Sequence, residues 1–202
     1  MDRKYLEREY DMWTNQYQEE LPPLEAIELI GWSQVILQAA DEIKAKTTLE
    51  TGAGSGKFSF MLANKGYEAT IMDFNKSILK TLKRNNSKVK KPIKIVEGNI
   101  LNIPFPDNSF DLVFSEGVNE HFLGADREKA IREMVRVSKN KIIIFVPDAQ
   151  SEEYIKRNDP LDGEYPFTKA ELTDLCELCG IQITGTGRLG DQIFIVGCKI
   201  VD

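Results

Sequence analysis

The feature that most constrains this chain is a change of hydrophobic period that recurs along it. Short β-prone runs at Thr47–Thr51, Ala69–Met72, Ile93–Val96, Phe110–Phe114 and Lys141–Val146 alternate with helix-length amphipathic stretches. The clearest of those stretches are Lys57–Asn64, Ser77–Asn85, Arg127–Val137 and Lys169–Cys179. Strands joined through helices pair in parallel, with helices on both faces. Two further runs, near Ile181–Thr186 and Gln192–Cys198, are joined only by the Gly-containing connection Thr184–Asp191, too short for a crossover helix. They are expected to form an antiparallel hairpin. Ahead of the first strand, Leu24 to about Ile43 reads as one amphipathic helix. Tyr5, Tyr10, Trp13 and Tyr17 recur at helical intervals before Pro22-Pro23. The pattern predicts one α/β domain with a seven-stranded, mostly parallel sheet, an antiparallel C-terminal hairpin and an N-terminal helical extension.

A chain of 202 residues, 42% of them hydrophobic, is long enough to bury a core without staples. Its 26 basic and 32 acidic residues give a net charge of −6, which disfavours phosphate backbones and anionic membranes as partners. Against that balance, Lys76–Lys94 holds eight basic residues and no acid. Such a run is either a solvated face or a seat for an acidic partner. No segment approaches the roughly 18 apolar residues of a membrane span. Charges rather than an apolar run follow Met1, so a cytoplasmic location is expected. Three cysteines, an odd number, suggest reduced thiols. Cys176 and Cys179 share a helical stripe with Leu172 and Leu175 and read as core positions. A zinc site would need two further ligands, and the one histidine is His121, so no metal is expected.

In an open parallel sheet, ligands bind beyond the carboxyl ends of the strands. After the first strand comes Glu50-Thr51-Gly52-Ala53-Gly54-Ser55-Gly56. A P-loop fails, because Gly56-Lys57 is followed by Phe58 and Thr51 stands where its first glycine belongs. A dinucleotide fingerprint fails as well, because Lys57 occupies the place of its third glycine. What remains is an acid two residues ahead of G-x-G-x-G, or else a plain tight turn. Asp73 ends the second strand 21 residues beyond Gly52, where an acid can accept from two ribose hydroxyls or cap the next helix. Phe74 offers a flat face to a base. Asn99 and the Ile100 N–H, after the third strand, could read an adenine edge. Three adjacent strand ends thus make a series shaped for a nucleoside.

Taken together, Leu49–Gly56, Asp73, Gly98-Asn99-Ile100 through Val113, Val118-Asn119-Glu120-His121 and Arg136-Val137-Ser138 resemble class I S-adenosylmethionine-dependent methyltransferases. Within that family the resemblance is to the small ubiquinone/menaquinone-biosynthesis-like branch, and it runs from about Thr47 to Phe145, with weaker agreement to Cys198. It implies a Rossmann-like core over 46–202 beneath a helical N-terminal cap over 1–45. It also implies S-adenosylmethionine as cofactor and a small-molecule methyl acceptor. Gly52, Ala53 and Gly54 would pass under the methionine and ribose portions. Glu50 would orient the amino-acid end, Ser115 would present its carbonyl toward the methionine amino group, Glu116 would contact the cofactor, Asp73 would grip the ribose, and Asn99 and Ile100 would read the adenine. Tyr10, Trp13 and Tyr17 match a helix that would lid the cofactor, or else form a core stripe. Two departures stand out: Asn99 replaces the family's usual Asp, and Lys139-Asn140 replaces paired glycines before the fifth strand.

Methyl transfer from a sulfonium needs alignment at about 3–3.5 Å and exclusion of water. A base is required only when the acceptor must lose a proton. His121, just beyond the loop after the fourth strand, is the candidate base or acceptor-pocket donor; Glu116 and Glu120 are alternatives. The segment Asp148–Phe167 lacks a regular pattern, is acidic, and suits a lid over a neutral or cationic acceptor. The expected assembly is a monomer or homodimer. Two readings from other classes compete. One is a non-catalytic S-adenosylmethionine/S-adenosylhomocysteine-binding sensor or partner module, the other a nicotinamide-dependent oxidoreductase.

Overall fold

Each β-prone run becomes a strand and each intervening stretch a helix in the computed structural model, which describes residues 21–87, 89–156 and 163–200. The strands are β1 (Thr47–Thr51), β2 (Glu68–Asp73), β3 (Lys94–Glu97), β4 (Phe110–Glu116), β5 (Ser138–Pro147), β6 (Ile181–Leu189) and β7 (Gln192–Lys199). They form one sheet in the order β3-β2-β1-β4-β5-β7-β6. The first five strands run parallel, and β7 is antiparallel to both β5 and β6.

The two-residue period of the strands assigns side chains to two core layers. Leu112 and Phe114 of β4 meet α2 (Gly31–Glu42), α3 (Lys57–Lys65) and α4 (Lys76–Asn86) through Ile36, Phe58, Leu62 and Leu82. Val113, between them in sequence, faces the opposite layer. There Ile131 and Met134 of α5 (Gly124–Val137) and Leu172 and Cys176 of α7 (Lys169–Leu178) cover the sheet. Cys176 and Cys179 are therefore core thiols, free and pushed up by burial to about 12 and about 11. No group of side chains suited to a metal ion occurs among the described residues.

Three expectations need correction. The single helix over Leu24 to Ile43 is two, α1 (Leu24–Glu28) and α2. Ser33 Oγ and Gln34 Nε2 of α2 donate to the Ile27 and Glu28 carbonyls, 2.6 Å each, and so satisfy the acceptors that the break exposes. A Cβ on Gly31 would lie 2.7 Å from the Leu189 side chain, so α2 begins in close contact with the β6–β7 hairpin. The hairpin connection is shorter than Thr184–Asp191: β6 continues to Leu189, leaving Gly190-Asp191 as the turn, with Gly190 at φ +58°. The segment after Asp148 is not wholly irregular, since it contains α6 (Glu152–Lys156). The aromatic stripe of Tyr5, Tyr10, Trp13 and Tyr17 lies outside the described residues, as do 157–162 of the acidic segment.

At the amino ends of β1 and β4, Asp111 Oδ2 accepts from the backbone N–H groups of Lys46 and Thr47 at 2.8 and 2.9 Å and from Thr47 Oγ1 at 3.0 Å. Its Oδ1 accepts from Lys139 Nζ at 2.9 Å. Lys139 stands where the resemblance leads one to expect glycine, so that departure serves to tie β5 to β4 far from the strand ends that bind. Burial alone would raise the Asp111 pKa, but these donors outweigh it and hold the carboxyl well below its usual range. A depressed carboxylate stabilises the fold above its unfolded value near 4 and ceases to do so as pH falls through the folded value. Asp111→Ala is expected to lower unfolding free energy by about 2 kcal/mol at pH 7. Denaturant unfolding at pH 7 and below pH 4 should show the gap between variant and wild type narrowing with acid.

Candidate cofactor and acceptor site

The strand order reverses between β1 and β4, whose register pairs Thr51 with Ser115. Their chains leave toward opposite sides of the sheet, and a crevice opens beyond their carboxyl ends. The glycine turn occupies that crevice. Gly52, Gly54 and Gly56 have φ of +67°, +50° and +76°, a region that side chains disfavour. Gly52 N–H donates to the Met72 carbonyl at 2.8 Å, anchoring the turn to β2. A Cβ on Gly52 would lie 2.5 Å from Val118 Cγ2, so any larger residue would collide with the loop after β4. Ala53 is buried beside it.

Two carboxylates flank the turn. Glu50 is 3% exposed, and its Oε2 accepts from Ser59 N–H at 3.0 Å and Ser59 Oγ at 2.5 Å in the first turn of α3. Burial raises its pKa to about 7 despite those bonds, and nearby Glu116 adds to the rise. Asp73, at the end of β2, is 4% exposed and raised by burial to about 6, against backbone donors from Asn75, Gly54, Phe74 and Ala53. Its Oδ1 accepts from Asn75 N–H at 2.8 Å. The helix that follows is capped by Asn75, whose side chain accepts from Ser77 N–H and Ile78 N–H. Asp73 is thus released from the capping role that was one of its two sequence readings. The Phe74 ring next to it is 47% exposed.

Beyond β3, Asn99 is exposed and its Oδ1 accepts from Leu101 N–H at 2.9 Å, so an adenine amino group would share that oxygen. Ile100 is buried. Ser115 is fully buried in β4 and its Oγ accepts from Asn119 Nδ2 at 2.9 Å. Glu116 Oε1 accepts from Gln192 Nε2 at 3.0 Å. A single 3-10 turn, Asn119–His121, follows. His121 Nδ1 lies 3.4 Å from the Gly163 carbonyl, and burial lowers its pKa, favouring the neutral imidazole. Glu120 is 1% exposed, its Oε2 has no hydrogen-bond partner among the described residues, and burial holds its carboxyl well above the usual range. Arg127 Nε and Nη2 donate to the Phe122 and Tyr165 carbonyls at 2.7 Å each, which stitches the 163–167 segment to this turn.

Gly52, Ala53, Gly54, Asp73, Phe74, Asn99, Ile100, Glu50, Ser115, Glu116 and His121 therefore fall at neighbouring strand ends; Tyr17 lies outside the described residues. The cradle that a Cβ would fill and the buried carboxylate beside an exposed aromatic fit a nucleoside-bearing cofactor. Sequence reasoning missed Ser59, Asn75 and Gln192. Asn75 was detectable as an Asn just ahead of a helical pattern. Ser59 and Gln192 carried no signal, because their partners are set by packing.

Comparison with known proteins agrees with this geometry. A methyltransferase-domain family model matches residues 49–146. The demethylmenaquinone methyltransferase of Paenarthrobacter aurescens is 28% identical over 69% of this chain and 55% of that protein. The ubiquinone/menaquinone biosynthesis C-methyltransferase UbiE of an Enterobacter species is 33% identical over 54% of this chain and 44% of its own. The chain spans about half the length of these curated relatives. Among solved structures, Synechocystis magnesium protoporphyrin IX methyltransferase, determined with bound S-adenosylmethionine, superposes with a TM-score of 0.71 at 14% identity, covering 98% of both chains. That superposition shows the fold. Over residues 49–146 the chain matches a methyltransferase domain, and in that region it is similar to the ubiquinone/menaquinone-biosynthesis methyltransferases named above.

Proposed function

We propose that this protein transfers a methyl group from S-adenosylmethionine to a small-molecule acceptor. The observation that carries this is the positive-φ glycine turn at the β1/β4 reversal, flanked by the buried carboxylates of Glu50 and Asp73. When bound, the cofactor supplies a methyl group already activated on a sulfonium. Asp73 would accept from the ribose hydroxyls, Phe74 would cover the base, and Asn99 with the Ile100 N–H would read its edge. Glu50, Ser115 and Glu116 stand at the end of the crevice where the amino-acid portion would lie. His121, kept neutral by burial, would take a proton from an acceptor that must lose one. Quinone rings, named for the relatives, are the first acceptors to assay. We place the protein in the cytoplasm, as a monomer or homodimer. The buried thiols Cys176 and Cys179 support a reducing compartment. No helix among the described residues is long and apolar enough to cross a membrane.

Radiolabelled methyl transfer across a metabolite panel tests the reading. Tight binding of S-adenosylmethionine without transfer to any acceptor would favour the binding-module alternative. Stabilisation by NAD but by neither sulfur cofactor would sink both.

Two substitutions carry expected outcomes. A carboxylate raised by burial costs stability as pH climbs from its unfolded value, near 4, through its folded value, about 6 for Asp73. Asp73→Asn should therefore raise the melting temperature of the unliganded protein at pH 8 and have little effect at pH 4.5. Calorimetry on the same variant should show S-adenosylmethionine affinity weakened by about 2 kcal/mol. His121→Gln should cut methyl transfer by about a hundredfold while leaving cofactor affinity unchanged. Equal loss of both would remove His121 from the chemistry.

A further inference from the structure

The amino-acid end of the proposed cofactor site is bordered by a side-chain relay that joins three distant parts of the chain. Trp32, in the first turn of α2, donates its indole N–H to Gln192 Oε1 at 2.7 Å. Gln192, the first residue of β7, donates through Nε2 to Glu116 Oε1 at 3.0 Å. Glu116 is the last residue of β4, and its register partner in β5 is Phe145. Gln192 pairs with Pro147, so the start of β7 sits at the carboxyl edge of the parallel strands. The Glu116 charge is close enough to Glu50 to raise the Glu50 pKa. Two carboxylates facing one crevice are a seat for a cation.

An indole N–H can only donate, so Gln192 must present its oxygen to Trp32. The amide NH2 is then forced toward Glu116, and the Glu116 carboxylate is held by a donor of fixed orientation. Among the described residues no hydrogen bond reaches the second Glu116 oxygen, which can meet a ligand. All three residues are half-buried, so the relay can both hold its geometry and meet a ligand. A Cβ on Gly190 would lie 3.9 Å from Trp32 Cη2, which places the indole against the tip of the β6–β7 hairpin.

From this we infer that Gln192, oriented by Trp32, is a positioning residue that aims Glu116 at the ammonium group of the cofactor's amino-acid portion. The inference rests on the proposed function. It adds that recognition of the amino-acid end is completed by the C-terminal hairpin and α2, outside the matched domain of residues 49–146.

The test compares two ligands that share the adenosine and differ at the amino-acid end. S-adenosylhomocysteine carries the ammonium; 5′-methylthioadenosine lacks the amino-acid portion. Calorimetric affinities are measured for wild type, Gln192→Leu, Gln192→Glu and Trp32→Phe, with melting temperatures of the unliganded proteins as folding controls. Gln192→Leu should weaken S-adenosylhomocysteine about tenfold and leave 5′-methylthioadenosine within twofold. Gln192→Glu keeps an acceptor for Trp32 but sets a carboxylate against Glu116, and should show the same selective loss. Trp32→Phe frees the amide to flip and should give a smaller selective loss. Equal weakening of both ligands, or unchanged affinity for both, overturns the inference. Wild type that binds 5′-methylthioadenosine and S-adenosylhomocysteine equally overturns it while sparing the nucleoside site. Wild type that binds neither overturns the proposed function first.

Discussion

Strands β1 and β4 lie side by side although two strands and two helices separate them in the chain, and the rest of the molecule is arranged around that pairing. Because β2 and β3 stack outward from β1 while β5, β7 and β6 stack outward from β4, the connections that follow β1 and β4 diverge. The divergence opens the crevice that the glycine turn fills. At the other end, Asp111 closes the pair by accepting from the backbone of Lys46 and Thr47 and from Lys139. One end of the pair is thus closed by a depressed carboxylate with many donors. The other is left open between carboxylates that burial raises.

That contrast separates stability from function. Asp111 is partly solvated and surrounded by donors, so its charge stabilises the fold. Glu50 and Asp73 are buried so deeply that their donors do not offset the loss of water, so their charges cost stability in the unliganded protein. Polar groups held at a cost in a crevice mark places where a ligand is expected to complete the bonding. Glu120, buried with an oxygen lacking a hydrogen-bond partner among the described residues, extends the same logic to the turn after β4.

The strands and their parallel direction were legible because each change of period is local and strong. So were the glycine turn, Asp73 and the core role of Cys176 and Cys179. The break between α1 and α2 was not legible, since both halves keep one apolar stripe. The extent of the hairpin was hidden as well. Gly185 and Gly187 read as turn residues, yet they lie within β6, where a Cβ on Gly187 would lie 2.6 Å from the Phe194 ring.

By itself, the sequence determined the doubly wound sheet and the strand ends that carry the candidate cofactor residues, because periodicity and glycine placement act over a few neighbouring positions. Only the tertiary structure decided how those residues are held. Asn75 takes the helix cap and leaves Asp73 to the backbone of the glycine turn, Ser59 holds Glu50, and Trp32 fixes the amide that faces Glu116. The reason is that hydrogen-bond direction and burial depend on groups brought together by packing. Trp32 and Gln192 stand 160 residues apart, and no local pattern encodes their meeting.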